Sequence, residues 1–111
     1  MSDEDSADVT RLDGSLKDFR RAYADAEAAI EAMPDPERAF AEASALRVVT
    51  DELQGSAAML RARMAHRVYK THDLSLAALA ERLDVSKARA DQLIRLAREH
   101  DAGKALDGRS A

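Results

Sequence analysis

The sequence predicts an all-α protein with two long helices followed by two shorter ones. Alanine is the commonest residue, and only two Pro and four Gly interrupt the 111 residues, a composition that favours helix. Apolar residues also recur at steps of three and four, which is the spacing of one face of an amphipathic helix. A chain of this length holds one compact unit or two small helical modules.

The first helix is predicted from an apolar series at the a and d positions of a heptad repeat. Its members are Val9, Leu12, Leu16, Phe19, Tyr23, Ala26, Ile30 and Met33. Such a series forms one apolar seam along a helix. Gly14 is its weak point, because glycine costs about 1 kcal/mol in a helix interior, and Ser15 with Asp18 offers a capping box that would start the helix there instead. Residues 1–8 are expected to form a disordered acidic tail.

The second helix is predicted to begin at Pro36, after a short break. Pro34 cannot donate a helical hydrogen bond, and Asp35 followed by Pro36 is the pattern of an N-cap and a first helical residue. Because the connection is short, the two long helices should run antiparallel, as a coiled-coil-like hairpin over residues 9–57. The helical pattern continues to about Tyr69, and Gly55 is expected to mark close packing or a slight kink.

Two shorter helices are predicted beyond Thr71. Ser75 is placed to cap the third helix, Asp84 to lie in a turn, and Ser86 to cap the fourth. The inward side chains of these helices are expected to be Leu76, Leu79, Ala80, Leu83, Ala90, Leu93, Ile94 and Ala97. Gly, Asp and Ser in the last part of the chain indicate a flexible tail over residues 100–111.

Charge is distributed unevenly along the chain, although the net charge is only −4. Residues 1–60 contain six basic and fourteen acidic residues, a net charge of −8, whereas residues 61–111 contain eleven and seven, a net charge of +4. A basic segment attracts polyanions and an acidic segment repels them. Any contacts with nucleic acid are therefore expected in the second half.

That basic half contains a pattern of small, apolar and capping residues around a turn. It is Leu79-Ala80-x-x-Leu83-Asp84-Val85-Ser86-x-x-x-Ala90-x-x-Leu93. The pattern resembles the helix-turn-helix motif of bacterial DNA-binding proteins, and residues 74–96 look like the version in region 4 of sigma factors and in small transcription regulators. The motif usually has glycine where this chain has Asp84, and aspartate tolerates the left-handed conformation better than most residues do.

The resemblance implies a trihelical DNA-binding domain over residues 58–99, which shares the second long helix and inserts residues 86–97 into the major groove. The side chains expected to face the groove are Ser86, Lys87, Ala88, Asp91, Gln92 and Arg95. Phosphate contacts are expected from Arg61, Arg63, Arg67 and Lys70, with Arg82 and Arg89 as weaker candidates. Arg95 suits guanine and Gln92 suits adenine, while Asp91 either accepts from cytosine or orients the neighbouring cations.

Catalytic and cofactor motifs are not evident in the sequence. The chain has no cysteine, which excludes disulfides, thiolate nucleophiles and cysteine-ligated zinc. His66, His72 and His100 do not have the spacing of metal ligands, and no glycine-rich phosphate loop or nucleophile elbow occurs. We expect no enzyme activity, no metal and no cofactor.

The function expected is that of a double-stranded DNA-binding protein, most simply a dimeric transcriptional regulator whose N-terminal helices pair two copies. Two alternatives remain open. One is an adaptor that binds a protein of the transcription machinery through the acidic hairpin, and the other is a nucleoid-associated architectural protein. Because the chain has an acidic start and no apolar stretch of about 18 residues, we expect a soluble cytoplasmic protein, associated with the nucleoid and not with a membrane.

Overall fold

The computed structural model describes the backbone of residues 3–110 and the side chains of residues 4–104. Within this range the chain is entirely helical apart from short connections, which confirms the predicted all-α class. The helices are α1 (Asp3–Glu31), α2 (Pro36–Thr71), α3 (Leu76–Leu83) and α4 (Lys87–Ser110). In the part of the chain described, none of these helices has a segment long and apolar enough to span a membrane.

The chain divides into two compact units after Thr50, inside α2. The first unit contains α1 and the beginning of α2, and the second contains the rest of α2 with α3 and α4. The sequence placed the division between residues 57 and 58, within the same helix. The residues expected to bind DNA all lie in the second unit, and the heptad seam lies in the first.

The start of α2 has the local chemistry that the sequence predicted. Asp35 Oδ1 accepts a hydrogen bond of 3.0 Å from the backbone N–H of Glu37, and the Asp35 carbonyl accepts one of 2.9 Å from Ala39. Pro36 is the first helical residue, where its missing N–H removes no helical bond. The break between α1 and α2 is therefore fixed by Asp35 and the prolines on either side of it.

Helix α1 begins earlier than predicted, at Asp3, inside the segment expected to be a disordered tail; Met1 and Ser2 of that segment lie outside the described residues. Glu4 and Asp5 in the first turn are favourable there, since negative charge stabilises the positive end of the helix dipole. Ser15 does not cap a new helix either, because its hydroxyl donates a 3.2 Å hydrogen bond to the Arg11 carbonyl one turn back. Residues 3–8 thus belong to α1, and α1 continues through Gly14.

Helix α4 likewise extends further than predicted, to Ser110, through the segment expected to be a flexible tail; Ala111 of that segment lies outside the described residues. Gly103 lies inside this helix and costs about 1 kcal/mol relative to alanine, a penalty too small to end it without a following proline or a competing cap. Composition alone therefore misled the prediction for residues 100–110.

The core of the second unit lies between the end of α2, α3 and α4. One cluster joins Ala62 and Ala65 of α2 to Leu93 and Ala97 of α4. The other joins α3 to α4, and its members are Leu79, Ala80, Ala90 and Ile94, with Val68, Tyr69, Leu74, Leu76, Leu83 and Val85 packed against it. Every inward residue predicted for α3 and α4 is buried or half-buried. Alanines form much of this core, so the helix backbones approach each other closely.

The seam of the first unit is covered only near the helix connection. Ile30 of α1 and Met33 of the connection are half-buried and line a groove together with Leu46 and Val49 of α2. The earlier seam residues, Val9, Leu12, Leu16, Phe19 and Tyr23, are exposed. The first unit therefore leaves a long apolar stripe open on α1.

We predict that Gly14→Ala and Gly55→Ala each raise the free energy of unfolding by about 0.5 to 1 kcal/mol. Both glycines are helical, and a Cβ at either position would meet no atom within 4 Å, which is contrary to the close packing suggested for Gly55. Urea unfolding followed by circular dichroism measures the change. Loss of stability in Gly55→Ala would show that a neighbour occupies this space.

Candidate nucleic-acid interface

The turn between α3 and α4 is set by Asp84 in the left-handed conformation, with φ 55° and ψ 49°. Its N–H donates to the Glu81 carbonyl at 3.3 Å, and the Val85 N–H donates to the Ala80 carbonyl at 3.0 Å. This pair of bonds is the Schellman motif that ends helices. Asp84 therefore takes the role in which glycine was expected, and the departure from the motif does not disturb the turn.

The turn between α2 and α3 repeats the same chemistry one helix earlier. Asp73 has φ 48°, its N–H donates to the Lys70 carbonyl at 3.3 Å, and the Leu74 N–H donates to the Tyr69 carbonyl at 3.1 Å. Sequence reasoning missed this role for Asp73. The similarity of Asp73-Leu74-Ser75 to Asp84-Val85-Ser86 could have revealed it.

Each of these turns ends on a serine that caps the next helix, as predicted. Ser75 Oγ accepts a 3.1 Å hydrogen bond from the Ala78 N–H, and Ser86 Oγ accepts one of 3.0 Å from the Arg89 N–H. Asp84 thus ends α3 and Ser86 starts α4 within three residues. The short connection holds the N-terminus of α4 against the core.

The predicted groove-facing residues lie on the accessible side of α4. Ser86, Lys87, Ala88, Gln92 and Arg95 are exposed and Asp91 is half-buried. The opposite side is formed by Ala90, Leu93, Ile94 and Ala97, all at most 2% exposed. The helix therefore separates its packing positions from its accessible polar positions.

Two local contacts order the polar side of α4. The Arg95 guanidinium forms an ion pair with Asp91, four residues earlier. Arg89 Nη1 donates a 3.3 Å hydrogen bond to Gln92 Oε1. Asp91 thus orients Arg95, one of the two roles considered for it. Both contacts are solvent-accessible, so each contributes roughly 0 to 1 kcal/mol and can be exchanged for a contact with a ligand.

The four predicted phosphate-binding residues of α2 are accessible to solvent but do not form a single cluster. Arg63, Arg67 and Lys70 are spaced by four and three residues and so share one helix face. Arg61 lies elsewhere, on an apolar groove with Met64, Val68, Leu83, Val85 and Leu93. We call Arg63, Arg67 and Lys70 the α2 basic stripe.

The end of α4 comes close to part of this stripe. Arg63 and Arg67 line a small polar cleft of about 160 Å³ together with His66 and Asp101. The Asp101 carboxylate is the acidic group of this cleft and offsets part of the local positive charge. Lys70, at the other end of the stripe, does not line the cleft.

In the described part of the chain, the histidines and acidic residues do not form a metal site. No group of three or more His, Asp or Glu side chains there is arranged to hold a metal ion. The ring of His66 stacks on that of Tyr69 with centroids 6.4 Å apart. His66 is therefore a packing residue of α2 in this structure.

Comparison with known proteins identifies no relative. No protein-family model, curated protein or solved structure matches the chain.

We predict that Asp84→Gly raises the free energy of unfolding by up to about 0.5 kcal/mol, whereas Asp84→Val lowers it by about 1 to 2 kcal/mol. Glycine adopts positive φ without a steric cost, while a β-branched residue does so only under strain. Urea unfolding measures both changes. The matched pair at Asp73 should show the same order, and equal stability of the glycine and valine variants would contradict the role assigned to the turn.

Proposed function

We propose that the chain is a double-stranded DNA-binding protein, with α3 and α4 as a helix-turn-helix and α4 as the recognition helix. The end of α2 completes a trihelical domain over residues 58–99. The proposed role is that of a dimeric transcriptional regulator without enzymatic activity, acting on the bacterial nucleoid in the cytoplasm.

The observation that carries the proposal is the division of α4 into a packed side and an accessible polar side. Ala90, Leu93, Ile94 and Ala97 hold the helix against the core. Ala88, Gln92 and Arg95 follow one another at steps of four and three, and therefore share the outward face. A supported helix with such a face has the geometry needed to enter a major groove.

The outward residues have suitable chemistry for base recognition. Arg95 can pair bidentately with guanine and Gln92 with adenine. Small Ala88 allows close approach to the groove floor, and it can contact a thymine methyl group. Asp91 already holds Arg95 along the helix, which reduces the side-chain entropy that Arg95 loses on binding.

Ser86 and Lys87 lie at the N-terminus of α4, where they suit contacts with the DNA backbone. Free N–H groups and the positive end of the helix dipole attract a phosphate at this position. The α2 basic stripe would add further phosphate contacts, while Arg61 would contribute separately. Together these groups supply the salt-dependent part of the affinity.

The first unit is proposed to be an antiparallel helical hairpin that pairs two copies of the chain. Operators with two-fold symmetry are bound by dimers whose recognition helices lie about one DNA turn apart. The strongly acidic character of residues 1–60 disfavours contact between this unit and the phosphates. Separate units for pairing and for DNA contact are consistent with the charge difference along the chain.

The exposed seam on α1 also favours a second candidate function, an adaptor that binds another protein. An adaptor would retain a protein partner and show no DNA affinity at about 50 mM salt. An architectural nucleoid protein would bind DNA with little difference between sequences. Selection of binding sites from a random DNA pool by the purified chain separates all three functions.

We predict that replacing Lys87, Gln92 and Arg95 together by alanine weakens binding to the selected DNA site by at least about 100-fold. Each good base contact contributes about 1 to 3 kcal/mol of discrimination, and two of the three residues also carry positive charge. Fluorescence anisotropy at fixed salt measures the change in affinity.

The matched control for this triple variant is Lys17→Ala with Arg21→Ala. It removes the same two positive charges from the exposed side chains of α1. The control should bind almost as tightly as the natural chain. If the triple variant bound equally well, α4 would not be the reading helix.

We predict that replacing Arg63, Arg67 and Lys70 by alanine weakens binding to all DNA sequences to a similar degree. The slope of log K against log salt concentration should become shallower by about 0.9 for each phosphate that the variant no longer neutralises. Arg61→Ala, which leaves the stripe intact, should change the slope by no more than about 0.9. An unchanged slope in the triple variant would exclude the stripe from the interface.

A further inference from the structure

The open part of the α1 seam is an unusual surface for a single chain. Val9, Leu12, Leu16, Phe19 and Tyr23 are each 43–57% exposed, although they occupy successive a and d positions of one heptad series. Their spacing makes a continuous stripe about 20 Å long. Apolar stripes of this kind mark interaction surfaces.

We infer that this stripe, residues 9–26 of α1, binds the same segment of a second copy in antiparallel orientation. The inference rests on the dimeric state included in the proposed function and does not require that the protein bind DNA. In a two-fold symmetric pair each contact occurs twice, so the same segment of the two chains can cover both stripes.

The antiparallel register follows from the limits of the open seam. A two-fold axis between residues 17 and 18 brings Leu16 opposite the partner's Phe19 and Leu12 opposite the partner's Tyr23. It also brings Val9 opposite the partner's Ala26, which is the half-buried residue where the covered part of the seam begins. This register therefore covers all of the exposed seam residues, and its last two members, Tyr23 and Ala26, also line grooves with α2.

The charges beside the seam distinguish antiparallel from parallel pairing. One flank of the seam carries Asp13 and Arg20, which directly follow Leu12 and Phe19. In an antiparallel pair this flank of one chain faces the same flank of the second chain. Asp13 therefore lies near the partner's Arg20, and Arg20 lies near the partner's Asp13. Arg20 has no acidic residue three or four positions away on its own helix.

The other flank also favours the antiparallel pair. It carries Asp8 and the small residues Ser15 and Ala22. In an antiparallel pair Ser15 lies near the partner's Ala22, which allows the helices to approach closely, and Asp8 meets no charged residue of the partner's flank. In a parallel pair the flank that carries Asp13 and Arg20 would instead face the other flank of the partner. Asp8 would then lie near the partner's Asp13, and Arg20 would lie near the partner's Ser15. Parallel pairing therefore gives one repulsion and no ion pair.

Charge reversal tests both the surface and the orientation. Arg20→Asp and Asp13→Arg each replace two attractive contacts by two repulsive ones, so each variant should dissociate at least about tenfold more readily than the natural chain. A one-to-one mixture of the two variants, and the double variant Asp13→Arg with Arg20→Asp, should both recover the dimer. In a parallel pair these two positions do not meet, so neither recovery would occur.

Sedimentation equilibrium of the full chain without DNA measures these associations, and circular dichroism checks that each variant remains helical. Arg21→Asp is the matched control, because it makes the same change one residue further from the seam and should leave association unchanged. A monomeric natural chain at about 100 µM would overturn the inference. So would a dimer that Arg20→Asp does not weaken, or a mixture that stays monomeric.

The test separates this inference from the DNA-binding proposal. A chain that associates as described but binds no DNA would retain the seam interface and remove the helix-turn-helix function. A chain that binds DNA as a monomer would retain the helix-turn-helix function and rule out the seam interface.

Discussion

The second unit depends on close contact between helix backbones at alanine. Ala62 and Ala65 of α2, and Ala90 and Ala97 of α4, are at most 5% exposed, and only Leu79 and Ile94 stand out as large, fully buried side chains among the residues described. Such a core buries little apolar volume per residue, so it gains stability from close backbone approach and dense packing. The short turns at Asp73 and Asp84 permit this approach, because they bring consecutive helices together within a few residues.

Much of this architecture could be predicted because the residues that start and end helices act locally. Asp35, Pro36, Ser75 and Ser86 all have the positions and partners expected of them. The inward residues of α3 and α4 are likewise evident from their helical spacing. Caps and periodicity depend on neighbours within one turn, and a single sequence contains that information in full.

The remaining features depend on small differences in helix free energy and on side-chain positions, neither of which a sequence pattern gives. The predicted start of α1 and the predicted end of α4 lie too far inward, because single glycines and acidic residues resemble helix breakers although a glycine costs only about 1 kcal/mol. Arg61 is close to Arg63 and Arg67 in sequence, but position around the helix sets its surroundings. The ion pair of Asp91 with Arg95 is one of two roles that the sequence allows for Asp91, and its presence depends on side-chain positions that the sequence does not give.

The division of α4 into two sides has a consequence for how this protein can change over evolutionary time. Enlarging Ala90 or Ala97 would cost about 1 to 3 kcal/mol, because both alanines are completely buried. Substitutions at Ala88, Gln92 or Arg95 alter no core contact and should shift stability by no more than about 1 kcal/mol. Mutations can therefore vary the outward face of α4 while the fold stays the same. Two of the residues that resist change in this helix, Ala90 and Ala97, are alanines, and their small size is what the packing requires.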